Sequence, residues 1–253
     1  MNAIPQQVLT GDVVAPSQAA ALDRALRDAS PAKVIEAALA TVGREQLALV
    51  SSFGTESAAL LKVMADVDPS IPVIFLDTGW LFEETLAYRD TLIATLGRLD
   101  RTNVLQAEQT LSHDDPDRDL WFSDPDACCR IRKVMPLDSA LEGFDAWITG
   151  RKRFHGGARL RLKVVEHADG KIKFNPLANW TKAELDAYAE LHELPAHPLV
   201  QFGYPSVGCW PCTKPAETED LRSGRWAGSE KTECGIHVSR LPSEPTVDVG
   251  GDI

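Results

Sequence analysis

A chain of 253 residues, 44% hydrophobic and 25% charged, is long enough to bury one sizeable core and needs no staple to fold. Its formal net charge of −11 argues against a broad nucleic-acid surface. With no apolar run of about 18 residues and no basic-then-apolar leader, neither a membrane span nor a signal peptide is expected, so the reading is a cytoplasmic protein.

The opening residues to Pro16 are polar, with Pro and Gly, and are expected to be disordered. From Ser17 to Val42 apolar residues recur at helical spacing, interrupted by "DASPAK"; Ser30 followed by Pro31 is a cap and first-turn pair, so two helices are predicted. "QLALVSSF" then "TESAALLKVMADV" reads as strand, turn and helix, and "IPVIFLDTG" with "LFEETLAYRDTLIATLG" repeats the unit. "TNVLQAE" is a third strand, and "HDDPDRDLWFSDPDA" a loop. "CCRIRKVMPLDSALEG" is a helix disturbed by Pro136, and "DAWITG" a fourth strand. This alternation predicts an α/β fold with a parallel sheet flanked by helices. Beyond Gly150 the rhythm changes: "LKVVEHADGKIKFNPL" reads as a hairpin turning at Asp169 and Gly170, and "TKAELDAYAELHE" as a capped helix. From Leu194 the chain is rich in Pro, Gly and Ser, a flexible tail expected to pack over the sheet only with help from a ligand, metal or partner.

In an open parallel sheet the ligand sits beyond the carboxyl ends of the strands. Three loops lie there: "SSFGTES", "LDTGW" and "TGRKRFHGGAR". The first brings small hydroxyl residues and a Gly to a helix start, where backbone N–H groups and the helix dipole favour an anion. It is not a Walker A loop, because no Gly-Lys-Ser/Thr follows; simple N-capping by Ser52 or Thr55 is the plainer alternative. Asp77 suits either a nucleotide contact or a helix cap. Between Arg130 and Lys173 there are eleven Lys or Arg against five Asp or Glu, which indicates a confined anion site or a solvated basic face.

Five cysteines in a reducing compartment point to metal binding or thiol chemistry. Cys209 and Cys212 in "GCWPC" have the spacing of metal ligands or of a redox dithiol, and the adjacent pair Cys128 and Cys129 makes four sulfurs available. Neighbouring cysteines fit one small zinc ion poorly and suit the separated corners of an iron-sulfur cube better; zinc and a buried or disulfide pair remain open. Cys234, in "EKTECGIH", stands apart beside Lys231 and His237, a setting that favours a nucleophilic thiolate, with Gly235 permitting an exposed turn.

"CCRIRKVMPL", "GCWPC" and "ECGIH", in that order, resemble the assimilatory adenylyl-sulfate reductases, the iron-sulfur branch of the adenylyl-sulfate and phosphoadenylyl-sulfate reductases, over about Leu47 to His237. The resemblance implies an adenine nucleotide alpha hydrolase-like fold: a disordered segment 1–16, a nucleotide-binding domain 17–205 and a C-terminal segment 206–253 carrying ligands and nucleophile. It implies a [4Fe-4S] cluster on Cys128, Cys129, Cys209 and Cys212. It further implies that Cys234 attacks adenylyl sulfate and that thioredoxin then releases sulfite, with His237 assisting the closed tail. Ser51, Ser52, Phe53 and Gly54 would hold the phosphosulfate, and Asp77, Thr78 and Gly79 would sit near the nucleotide. Lys133 would lie between cluster and substrate, and Arg151, Arg153, Arg159, Arg222 and Arg225 would contact phosphate or sulfate. Use of the 3′-phosphorylated nucleotide, or of both, is the near alternative, and an ATP-dependent adenylating enzyme of the same fold the distant one; Phe53, where those relatives carry a Gly, disfavours ATP cleavage. A homo-oligomer is compatible with the sequence. One stretch departs from the family pattern: "RFHGGAR", with His155 and Gly156, stands where a Gln-Ser pair is common.

Overall fold

The computed structural model describes residues 16–97, 102–106, 115–216 and 220–238. The disorder expected of residues 1–16 lies outside these, except for Pro16, which opens helix α1 (Pro16–Leu26). Helix α2 (Pro31–Val42) starts as its sequence requires, with Ser30 accepting from the Lys33 N–H at 3.4 Å and Pro31 in the first turn. Strand β1 (Leu47–Val50), helix α3 (Ser57–Val67), strand β2 (Val73–Asp77), helix α4 (Glu83–Leu96) and strand β3 (Thr102–Gln106) follow in alternation. Strand β4 is Ala146–Thr149, β5 Val165–Ala168 and β6 Lys171–Phe174.

The six strands form one sheet in the order β3-β2-β1-β4-β6-β5. All neighbours are parallel except β5, which pairs antiparallel with β6 across Asp169 and Gly170. Both turn residues have positive φ, 56° and 75°, the conformation that a two-residue hairpin needs. The sheet expected to be parallel therefore carries one antiparallel edge, because the hairpin joins it rather than standing apart.

Side-chain alternation divides the core. Leu47 and Leu49 of β1, Val73 and Phe75 of β2, and Ala146 and Ile148 of β4 join the large cluster with α1, α2 and α3. Ala48, Ile74 and Trp147 point to the other face, where Leu137 and Leu141 cover them.

Those two leucines belong to a helical run that starts earlier than expected. Within the stretch read as loop, Leu120–Ser123 forms one helical turn, and helix α5 (Pro125–Cys129) is capped by Asp124 accepting from Ala127 N–H at 2.9 Å. A π-helical turn, Arg130–Val134, follows, then helix α6 (Met135–Leu141). The disturbance expected from Pro136 is this wide turn: Pro136 has no N–H for the carbonyl four residues back, and the Met135 N–H bonds instead to Arg130, five back.

Helix α7 (Lys182–Leu191) has a complete capping box between Thr181 and Glu184. The segment after Leu194 packs against α4. The Tyr88 hydroxyl donates to Pro195 O at 2.8 Å, and Thr85 Oγ1 lies 3.1 Å from Nε2 of the buried His197. Further on, Trp210 N–H donates to Trp80 O at 2.7 Å, and Thr213 and Arg225 form an antiparallel bridge. At Gly224 a Cβ would sit 2.0 Å from Lys214 O, so only glycine lets the two segments meet. Gly224→Ala is expected to cost roughly 1–3 kcal/mol, read as a lower urea midpoint.

Candidate active site

Beyond the carboxyl ends of β1, β2 and β4 lies a cavity of about 220 Å³. Its walls are the loops that begin at Ser51, Thr78 and Gly150, together with Val207, Gly208 and the tail from Arg222 to His237. Six cations line it, Lys133, Arg151, Lys152, Arg159, Arg222 and Arg225, against two carboxylates, Glu56 and Glu233. The basic face suggested by composition is thus partly a lining.

The tail enters with Cys234 at this lining. Gly235 takes φ +89°, which glycine allows at little cost. Ile236 then packs near Trp147, and the His237 ring stacks on Trp147 at 5.5 Å and 7°. Burial and the charges of Arg151 and Lys173 push His237 well below the usual imidazole range, so it is neutral. Lys231 forms an ion pair with Asp126 of α5, fixing the tail against the helix that carries the paired cysteines.

The other four thiols do not line the cavity. All five cysteines are free, with Cys128, Cys129 and Cys209 buried. Burial raises the thiols of Cys128, Cys212 and Cys129, the last to about 11, and neighbouring thiolate charge adds to the rise. Cys209 goes the other way: burial opposes ionisation, but Lys133 and the Thr78 hydroxyl, 3.2 Å from its sulfur, lower it. Arg132, with a buried ion pair to Asp115 at 2.6 Å, directs Nη1 to Cys128 Sγ at 3.6 Å. Lys133 is held protonated against the cost of burial by Cys209, Cys234 and Cys129. Among the described residues no group of three or more His, Cys, Asp or Glu is arranged so that it could hold a metal ion. Cys128, Cys129 and Cys212 each feel the charge of Cys209, and Lys133 lies close to all four. Cysteine thiolates are the donor type by which proteins hold iron-sulfur clusters.

The structure gathers Ser51, Ser52, Gly54, Thr78, Lys133, Arg151, Arg159, Arg222, Arg225, Cys234 and His237 at the cavity and leaves four expected residues off its lining. Phe53 has φ +46° and is fully buried, edge-on to Phe75 at 5.3 Å; the turn directs its ring into the core. Asp77 accepts from Gly79 N–H at 3.0 Å, closing a local turn that involves neither a helix cap nor, at Gly79, the cavity. Arg153 donates Nε to Leu162 O at 2.7 Å and Nη1 to Asn179, a structural role. Nor do Ser52 and Thr55 cap α3: its cap position is Glu56, and Thr55 donates to Pro205 O at 2.7 Å.

Sequence reasoning missed Glu56, Lys152, His155 and Glu233. All four lie inside quoted motifs, but a carboxylate is an unpromising choice for an anion site. Burial would raise Glu56, yet the hydrogen bond from His155 and the charge of Lys152 bring it down to about 2.

A profile of the phosphoadenosine phosphosulfate reductase domain matches residues 46–215. The chain belongs to this family. Within it, an adenosine 5'-phosphosulfate reductase of Mesorhizobium japonicum is 47% identical over 226 residues, 89% of each chain. One of Chelativorans sp. is 50% identical over 196 residues, 77% of this chain and 80% of the other. The crystal structure of a phosphoadenylyl-sulfate reductase from Candida auris, a phosphate complex, superposes with a TM-score of 0.67 at 26% identity, covering 81% of this chain and 98% of that one.

Because Glu56 is depressed from 4.5 to about 2 in the folded chain, its contribution is complete above pH 4.5 and is lost as pH falls through 2. Glu56→Gln is expected to cost roughly 3 kcal/mol at pH 7 and to flatten the loss of stability across that interval in urea titrations at stepped pH.

Proposed function

We propose that the protein reduces adenosine 5'-phosphosulfate to sulfite and AMP, with Cys234 as nucleophile, in assimilatory sulfate reduction. One observation carries this reading: Cys234 alone of the five cysteines lines the cation-rich cavity. The names of its relatives agree with it.

The Cys234 thiolate attacks the sulfur of the sulfate group. A Cys234 Sγ–S bond forms, the S–O bond to the phosphate breaks, and AMP leaves with that electron pair. Arg159, Arg222 and Arg225 neutralise charge on the leaving phosphate and the sulfonyl oxygens, the stabilisation that such donors supply best where water is scarce. Lys133 serves both sides, because it faces the thiols and the cavity together. A thiolate of reduced thioredoxin then attacks Cys234 Sγ, and sulfite departs with the electrons of the S–S bond. The second thioredoxin thiol resolves the mixed disulfide, which restores Cys234 and oxidises thioredoxin.

Cys128, Cys129, Cys209 and Cys212 would hold a [4Fe-4S] cluster. Consecutive helical residues point about 100° apart, so Cys128 and Cys129 suit separate irons. When bound, the cluster supplies a fixed negative charge and a cross-link, electrons coming from thioredoxin. Arg132 and Lys133 offset that charge next to an anionic substrate. Among the described residues no helix is long and apolar enough to cross a membrane; a cytoplasmic setting is part of the proposal.

Sulfite release should be measured with adenosine 5'-phosphosulfate and its 3′-phosphorylated form in parallel, with thioredoxin. The unphosphorylated nucleotide is expected to turn over, and Cys234→Ser to abolish release while keeping a brown colour and absorption near 400 nm. Full-rate release by Cys234→Ser, or pyrophosphate release from ATP, would overturn the proposal; faster use of the 3′-phosphorylated nucleotide would move the chain to the other branch.

A further inference from the structure

Between the loop after β1 and the tail runs an unbroken line of polar contacts. Lys152, itself buried, donates to Glu56 Oε2 at 2.7 Å, and His155 Nε2 lies 2.9 Å from the same oxygen. On the far side of the ring, Arg159 Nη1 is 3.0 Å from His155 Nδ1. Arg159 then grips Glu233 with two bonds, Nε to Oε1 at 2.7 Å and Nη2 to Oε2 at 2.9 Å. Glu233 is the residue before Cys234.

The proton positions in this line follow from chemistry. A guanidinium only donates, so Nδ1 must accept and carries no proton; an ionised carboxylate only accepts, so Nε2 must carry one. His155 is therefore neutral and confined to one tautomer. We infer that His155 is a positioning residue, which in this tautomer orients Arg159 so that its fork holds Glu233 and keeps Cys234 at the cavity, and which on protonation lets that fork go.

A proton added at Nδ1 would face an Arg159 N–H, setting two donors and two positive charges against each other. The guanidinium must then turn, and the bidentate geometry to Glu233 is lost. The charged groups facing the ring are Glu56, Lys152 and Arg159, with the Phe154 ring edge-on at 4.5 Å. Burial, and then Lys152 and Arg159, favour the neutral ring, while Glu56 opposes them; the balance lies below the usual imidazole value. The hold is thus complete at neutral pH and is lost as pH falls through the lowered value.

The catalytic meaning of this device rests on Cys234 being the nucleophile, but its test does not. Iodoacetamide labelling of Cys234 in the full chain, followed by peptide mass spectrometry between pH 5 and 8, reads how firmly the tail is held. His155→Ala is expected to label about tenfold faster than the native chain at pH 7.5, the loss of one charge-assisted bond. His155→Gln should stay within about twofold, since a carboxamide both accepts from Arg159 and donates to Glu56. The ratio of native to His155→Gln rates should rise as pH falls below the ordinary imidazole range, only the native side chain at this position being titratable. Glu233→Gln cuts the same line, so combining it with His155→Ala should give less than the product of the two effects. Native-rate labelling of His155→Ala, a ratio flat with pH, or effects that multiply would each overturn the inference. If His155→Ala does not fold, judged by circular dichroism, the pH comparison with His155→Gln decides. Sulfite release by the native chain is assayed separately, so an inactive enzyme with the expected labelling would sink the reaction and leave the relay standing.

Discussion

Six cations around one small cavity, in a chain with a formal net charge of −11, are the interaction on which the rest of the site depends. Each is partly withdrawn from water and repels the others, a cost that grows as the local dielectric falls. The effect is visible in the side chains themselves. Arg222 is lowered to about 10 by burial and by Arg159, and Lys152 and Arg151 are lowered as well, burial leading in each case. Three carboxylates hold this array together: Glu56 on Lys152, Glu166 on Arg151, and Glu233 shared by Arg159 and Arg222. An anion entering the cavity meets cations that are already positioned, and its charge relieves repulsion that the protein otherwise carries.

Lys133 differs from Arg151, Lys152 and Arg222. Its charge is favoured despite burial by the sulfur atoms around it, whereas for those three burial prevails over their carboxylate partners. One ammonium thus joins two compartments, the buried thiols behind the wall and the open cavity in front. The basic side chains before it in sequence go elsewhere: Arg132 is sealed against Asp115, and Arg130 is exposed near Met135. A basic run of four residues therefore serves three destinations.

Strand and helix alternation, the hairpin at Asp169 and Gly170 and the cap at Ser30 were legible in the sequence, because each follows from local periodicity or backbone preference. So were the three loops at the carboxyl ends of β1, β2 and β4, which topology alone brings together. What was not legible depends on where a single side chain turns. The positive φ of Phe53 sends a loop residue into the core, Asp77 closes on its own backbone, and Arg153 braces Leu162 and Asn179. Glu56 and Glu233 were overlooked for a different reason: their value comes from partners 96 and 74 residues away, and no local pattern reports such distances.

The wide turn at Arg130–Val134 has a consequence for the helical run on either side of it. A π-helical turn winds less per residue than an α-helix, so its five residues turn about as far as four would in ordinary helix. The surplus residue is absorbed within the turn, and the cysteine-bearing half keeps its angular phase relative to the leucines that anchor the sheet. The stretch thus carries one residue more than an ordinary helix without turning Cys128 and Cys129 away from their surroundings.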